Sequence, residues 1–108
     1  MKTAECREEL RRLQAREGLA VLQIGTEDCG PCKAIRARLE GWLAEHPGVE
    51  GLYLPLEDFP EAAAELGIFT VPAVLVYAEG RLTLRETGCF SLEALFQRLE
   101  RYLELMEG

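Results

Sequence analysis

The chain has 108 residues, 12 basic and 19 acidic side chains, a formal net charge of −7 and a hydrophobic share of 48%. Such a length supports a core without a structural metal or a disulfide framework, so a single domain covering residues 1–108 is expected. The acidic balance argues against a nucleic-acid or anionic-membrane surface, and no apolar run approaches the ~20 residues that cross a bilayer.

The first residues, Met1-Lys2-Thr3-Ala4-Glu5-Cys6-Arg7, are charged where a secretion signal would be apolar, so a cytoplasmic location is expected. In a reducing compartment, four cysteines read as catalytic or free thiols rather than as structural cross-links.

Thr3 is the expected N-cap of a first helix, with Glu5 in its first turn. Cys6, Leu10 and Leu13 give that helix one narrow apolar stripe, on which Cys6 reads as core, and Gly18 stops it. Leu19 to Gly25 is short and uniformly apolar except for Gln23, the pattern of a central strand covered on both faces. A helix is predicted over Lys33–Glu45, with Ile35, Leu39, Trp42 and Leu43 inward and Lys33, Arg36, Arg38 and Glu40 facing water. Pro47 and Gly48 end it.

Leu52 to Leu56 is the next strand. Pro55 removes a ladder donor, which calls for a sheet edge or the end of a strand. Asp58 and Glu61 have capping-box spacing before a short helix from Pro60 to Leu66. Ala73 to Tyr77 is a second buried strand, and Glu79-Gly80 turns the chain into the alternating Leu82–Thr87. Ser91 caps a last helix, with Phe90 and Leu95 spaced as a hydrophobic staple. The expected architecture is an α/β sandwich around a four-stranded mixed sheet. Helical crossovers make its first three strands parallel, and the hairpin makes the last antiparallel.

Cys29-Gly30-Pro31-Cys32 lies where the first strand hands over to a helix. Two thiols two residues apart at that junction are a redox signature. Cys29 falls at the helix N-terminus, where unpaired N–H groups favour a thiolate, and Pro31 fits a first turn that has no use for its missing N–H. Cys29 is therefore the predicted nucleophile, and Cys32, one turn deeper, the thiol that resolves the mixed disulfide.

This element order, with Cys29-Gly30-Pro31-Cys32 and Thr70-Val71-Pro72, resembles the thioredoxin family from about Leu19 to the C-terminus. The resemblance implies thiol–disulfide oxidoreductase activity on disulfide-containing proteins, recharged by an electron-donating reductase, with no cofactor and no metal. It implies a cis peptide between Val71 and Pro72, pairing of the Val71 backbone with an extended substrate segment, and a groove bordered by Gly30, Pro31, Val71, Pro72 and Gly88. A redox-sensing binding or adaptor domain with little turnover is the alternative.

The chain departs from the family in five places. Family members commonly begin with an extra strand beside the one matching Leu52–Leu56. Here a helix is expected instead, giving sheet order 2-1-3-4 in chain order and leaving Leu52–Leu56 on an edge. The tryptophan before the first cysteine is Asp28, the buried aspartate aligns with Gln23 and its lysine partner with Tyr53. Ala37 stands where a helix-kinking proline is common. Asp28 opposes the helix terminus by a comparable energy, so Cys29 is expected to be less acidic than in other members, giving a weakened or more specialised reductase. Cys89 reads as an incidental small residue beside the groove. A zinc site from Cys29, Cys32, Cys89 and His46 lacks the paired spacings of structural zinc folds.

Overall fold

A computed structural model describes residues 1–107. The elements in chain order are β1 (Lys2–Thr3), α1 (Arg7–Ala15), β2 (Leu19–Gly25), α2 (Gly30–Glu45), β3 (Glu50–Pro55), α3 (Pro60–Glu65), β4 (Ala73–Ala78), β5 (Arg81–Thr87) and α4 (Leu92–Glu107). The strands form one mixed sheet in the order β1-β3-β2-β4-β5.

Side chains alternate across β2, and the two faces build two separate cores. Ala20, Leu22 and Ile24 pack with Leu10 and Leu13 of α1 and Ala62 and Ala63 of α3. Leu19 and Val21 face the other way, against Leu39 and Trp42 of α2 and Leu95 and Leu99 of α4. Both faces of β2 are thus covered, which is why the sequence reads as an apolar run broken only by Gln23.

Two expectations about the sheet are corrected. First, the sheet has five strands rather than four, because Lys2 and Thr3 pair in parallel with Leu52 and Tyr53, and the Ala4 amide adds a 2.8 Å bond to the Tyr53 carbonyl. The strand at Leu52 is therefore interior. Pro55 sits at its last ladder position, opposite Gly25, where a missing donor costs little.

Secondly, β4 runs antiparallel to β2, so the first three predicted strands are not all parallel. A parallel return needs a crossover that carries the chain back along the length of the sheet. The six residues of α3 advance only about 9 Å, against roughly 20 Å for a strand of six. The chain therefore enters β4 at the end where it left β3, and Ala73 pairs with Ile24 near the C-terminus of β2.

Smaller corrections concern the helix ends. Thr3 lies in β1, and Cys6 occupies the cap position of α1 without a side-chain cap bond. Cys6 is exposed rather than core, since α1 starts after it and Ala4 takes the buried place. Asp58 does not cap α3, whose cap position is Phe59. Ser91 does cap α4, its hydroxyl oxygen accepting from the Ala94 amide at 3.1 Å. The α2 helix starts at Gly30, three residues before the predicted Lys33, and is continuous to Glu45. Arg36 and Glu40 do not simply face water. They tie α2 to β1, Arg36 through the Met1 carbonyl (2.8 Å) and the Thr3 hydroxyl (3.0 Å), and Glu40 through the Met1 ammonium (3.1 Å).

Candidate active site

Cys29 is the N-cap of α2, and its sulfur accepts from the Cys32 amide at 3.1 Å. The two sulfurs form a disulfide with their Cα atoms 5.2 Å apart. Cys29 is half-buried whereas Cys32 is 0% exposed, so the two positions differ sharply in access. An outer sulfur at a helix N-terminus can meet an incoming disulfide, and an inner sulfur can meet only what the outer one already holds.

The floor beneath Cys32 is polar. Gln23, fully buried, donates from Nε2 to the Cys32 carbonyl oxygen at 2.8 Å, while its Oε1 has no partner. Gln23 and Tyr53 are register partners across β2 and β3, so their side chains share the face turned to α2. Gly25 follows on that face. A Cβ there would strike the Tyr53 hydroxyl and stand 2.9 Å from Cys32 Cβ and 3.0 Å from its sulfur. Glycine at the end of β2 leaves the space that Cys32 and the Tyr53 hydroxyl occupy.

The Arg36 guanidinium lies 4.4 Å from the centre of the Tyr53 ring. Burial pushes the Tyr53 hydroxyl above the ordinary phenol range; Arg36 opposes that and Glu57 reinforces it. Tyr53 also borders an open groove of about 380 Å³, with Thr26, Glu27, Lys33, Arg36 and Glu57. The acidic rim is structured: the Glu27 amide donates to Glu57 at 2.8 Å, and the Thr26 hydroxyl to Asp28 at 2.9 Å.

The other predicted site residues fall as follows. The Val71–Pro72 peptide is cis, with Val71 half-buried and Pro72 buried. Antiparallel β4 places Pro72 one residue before Ala73, hence at the end of β2 from which the cysteine motif departs. Gly88, with φ at +71°, donates to the Pro72 carbonyl at 2.9 Å, so those two are brought together. Gly30 and Pro31 are exposed in the first turn of α2.

Cys89 is exposed and unpaired, as is Cys6. His46 ends α2, its ring stacked on Trp42 at 3.8 Å and its Nδ1 2.8 Å from the Trp42 carbonyl oxygen. The sixteen residues of α2, about 24 Å, separate that end from Cys29. Among the described residues no cluster of three or more His, Cys, Asp or Glu is placed to hold a metal ion.

Sequence reasoning missed Arg36 and Gly25 as parts of the site. The available signal was Gly25 closing a uniformly apolar strand, a mark of close approach by another group.

No protein-family model matches the chain. It is 31% identical over 87 residues to thioredoxin-like protein YdfQ of Bacillus subtilis, spanning 81% of this chain and 78% of that protein. It is 28% identical over 85 residues to thioredoxin of Chlamydia muridarum, spanning 79% and 83%. Among solved structures, Fasciola hepatica thioredoxin superposes with a TM-score of 0.83 at 24% identity, over 94% of this chain and 99% of that one. Trypanosoma brucei brucei thioredoxin gives 0.84 at 20% identity, over 94% and 89%. At those identities the two structures speak to the fold alone.

Proposed function

The chain belongs to the thioredoxin family of thiol–disulfide oxidoreductases, and from that premise we propose that it reduces disulfides in protein substrates through Cys29 and Cys32. The observation that carries this reading is the unequal access of the two sulfurs, one half-buried at a helix N-terminus and one fully buried beside it.

In the reduced protein the Cys29 thiolate attacks one sulfur of the substrate disulfide. The other substrate sulfur leaves as a thiolate and takes a proton from water. Cys32 then loses its proton, and its thiolate attacks the Cys29 sulfur, breaking the bond to the substrate, whose second thiolate leaves and is protonated. The substrate gains two electrons and two protons; the dithiol becomes the Cys29–Cys32 disulfide. An electron-donating reductase, or a small dithiol in its place, returns it to the reduced state.

Gly30, Pro31, Val71, Pro72 and Gly88 border the substrate segment, with the Val71 backbone adding it as an extra strand. Asp28 and the neighbouring Glu27 weaken the thiolate at Cys29, which favours a slower or more selective reductase over a general one. The 108 residues act as one domain, in the cytoplasm, on proteins rather than nucleic acids. No helix among the described residues is long and apolar enough to cross a membrane.

Insulin reduction with dithiothreitol tests the reading. The wild type accelerates precipitation of the insulin B chain, and Cys29→Ser abolishes the effect. Cys32→Ser accumulates a mixed disulfide through Cys29. A wild-type rate equal to background would defeat the proposal.

A further inference from the structure

The inner cysteine has no carboxylate beside it to manage its proton, yet the resolving step needs its thiolate. The Tyr53 hydroxyl shares with it the space in front of Gly25. Tyr53 and Cys32 both reach within 3.0 Å of the point where a side chain at Gly25 would begin. In the disulfide form the Tyr53 hydroxyl makes no hydrogen bond to Cys32 or to another described residue, so its proton is uncommitted. Its ring is held from one side by register pairing with Gln23 and from the other by Arg36 at 4.4 Å.

We propose that the Tyr53 hydroxyl donates a hydrogen bond to the Cys32 thiolate, stabilising it both when it attacks the mixed disulfide and when it leaves during recharging. This rests on the dithiol reading above and supplies the step that reading left without a partner. A neutral phenol cannot serve as a strong base, and none is required of it. The Cys32 proton passes to water; Tyr53 itself borders a groove open to solvent. Tyr53 lowers the cost of the anion left behind, as charge-assisted bonds to sulfur and oxygen anions do.

Burial keeps the phenol protonated well beyond neutral pH, which preserves it as a donor. The charged groups facing the same groove are Lys33 and Arg36 from α2, Glu27 after β2, and Glu57 and Asp58 after β3. Arg36 and Lys33 favour an anion at Cys32, whereas the three carboxylates oppose it, so the local charges largely offset one another.

The test uses the full chain with Cys6→Ala and Cys89→Ala, so that only the dithiol reacts. Reduced protein mixed with 5,5′-dithiobis(2-nitrobenzoate) releases one thionitrobenzoate as Cys29 attacks and a second as Cys32 resolves. In Tyr53→Phe the first phase is expected to keep its rate. The second should slow about three- to tenfold at neutral pH, with its pH midpoint about one to two pH units higher. The slowing is smaller than the loss of thiolate because a more basic sulfur is intrinsically more nucleophilic.

A purely structural role for Tyr53 would not separate the phases. A second phase with unchanged rate and midpoint overturns the proposal. A variant-free check covers the case of a poorly folded Phe protein: the Tyr53 Cζ resonance of the reduced protein should titrate together with the Cys32 Cβ resonance, and independent titration also overturns it. Loss of insulin reduction by the wild type would defeat the proposed function instead, and the two-phase release distinguishes that case.

Discussion

Gln23 donates from Nε2 to the carbonyl oxygen of Cys32 at 2.8 Å, tying the middle of the sheet to the first turn of α2. The same side chain leaves its Oε1 unpartnered in a fully buried position. A partly satisfied amide contributes less than its single bond suggests, because the lone acceptor carries an uncompensated desolvation cost. Gln23→Leu, which removes both groups, is therefore expected to change stability by no more than about 1 kcal/mol. Gln23→Glu should cost about 2–4 kcal/mol at pH 7, since its carboxylate would be buried against a carbonyl oxygen. Its folded pKa would lie above the unfolded value of about 4.3, so the variant is most stable below that pH and loses stability as pH rises towards the folded value. Urea denaturation from pH 4 to 8 checks both; a Glu variant that gains stability over that range would contradict them.

Gly25 is occupied on its α2 side by Tyr53 and Cys32. Gly25→Ala should cost about 1–3 kcal/mol through overpacking. Part of that cost should vanish in a Tyr53→Phe background, because the colliding hydroxyl is then absent. A double-mutant cycle with a coupling energy near zero would show that the two residues do not press on each other.

At the rim, Asp28 neighbours Cys29 and accepts from the Thr26 hydroxyl at 2.9 Å. A like charge ~6 Å away through water is worth about 0.7 kcal/mol, or roughly half a pKa unit. Asp28→Asn is therefore expected to make Cys29 more acidic by about that amount, read from the pH profile of iodoacetamide alkylation in a Cys32→Ser protein. Raising ionic strength should shrink the difference, as the pair is exposed.

Glu40 fastens the first strand. Burial tends to raise its pKa, but the bonds from the Met1 ammonium and from Arg36 outweigh that and hold it below the ordinary carboxylate value of 4.5. Its stabilising effect is thus fully present above pH 4.5 and lost as pH falls through the lower folded value. With the carboxylate partly in solvent the effect is modest. Glu40→Gln should flatten stability against pH in that window and speed exchange of the Ala4 amide, which bonds to the Tyr53 carbonyl. Amides of β2 should keep their protection.

Much of the molecule was legible in its residues because the signals are local. An apolar run with one glutamine marked β2, the Phe90 and Leu95 spacing marked the start of α4, and a cysteine pair at a strand–helix junction marked the dithiol. Ser91 announced its own cap. Local patterns also misled. Cys6 matched a helical stripe by spacing but precedes the helix, and Asp58 matched a capping box while Phe59 took the cap position.

By itself the sequence picked out a cysteine pair at a strand–helix junction, a property of residue type and spacing. Its resemblance to the thioredoxin family implied that Gln23 and Tyr53 stand where members carry an acid and a lysine. Only the tertiary structure decided the direction of β4, the existence of β1 and the crowding of Tyr53 and Cys32 into the space in front of Gly25. Strand direction depends on how far a connection travels, and a two-residue strand has no periodicity to read. The arrival of a hydroxyl from β3 and a sulfur from α2 at the same glycine depends on register and on a side chain that is missing. The polar floor of the dithiol is therefore a product of sheet pairing, although every residue in it is plain in the chain.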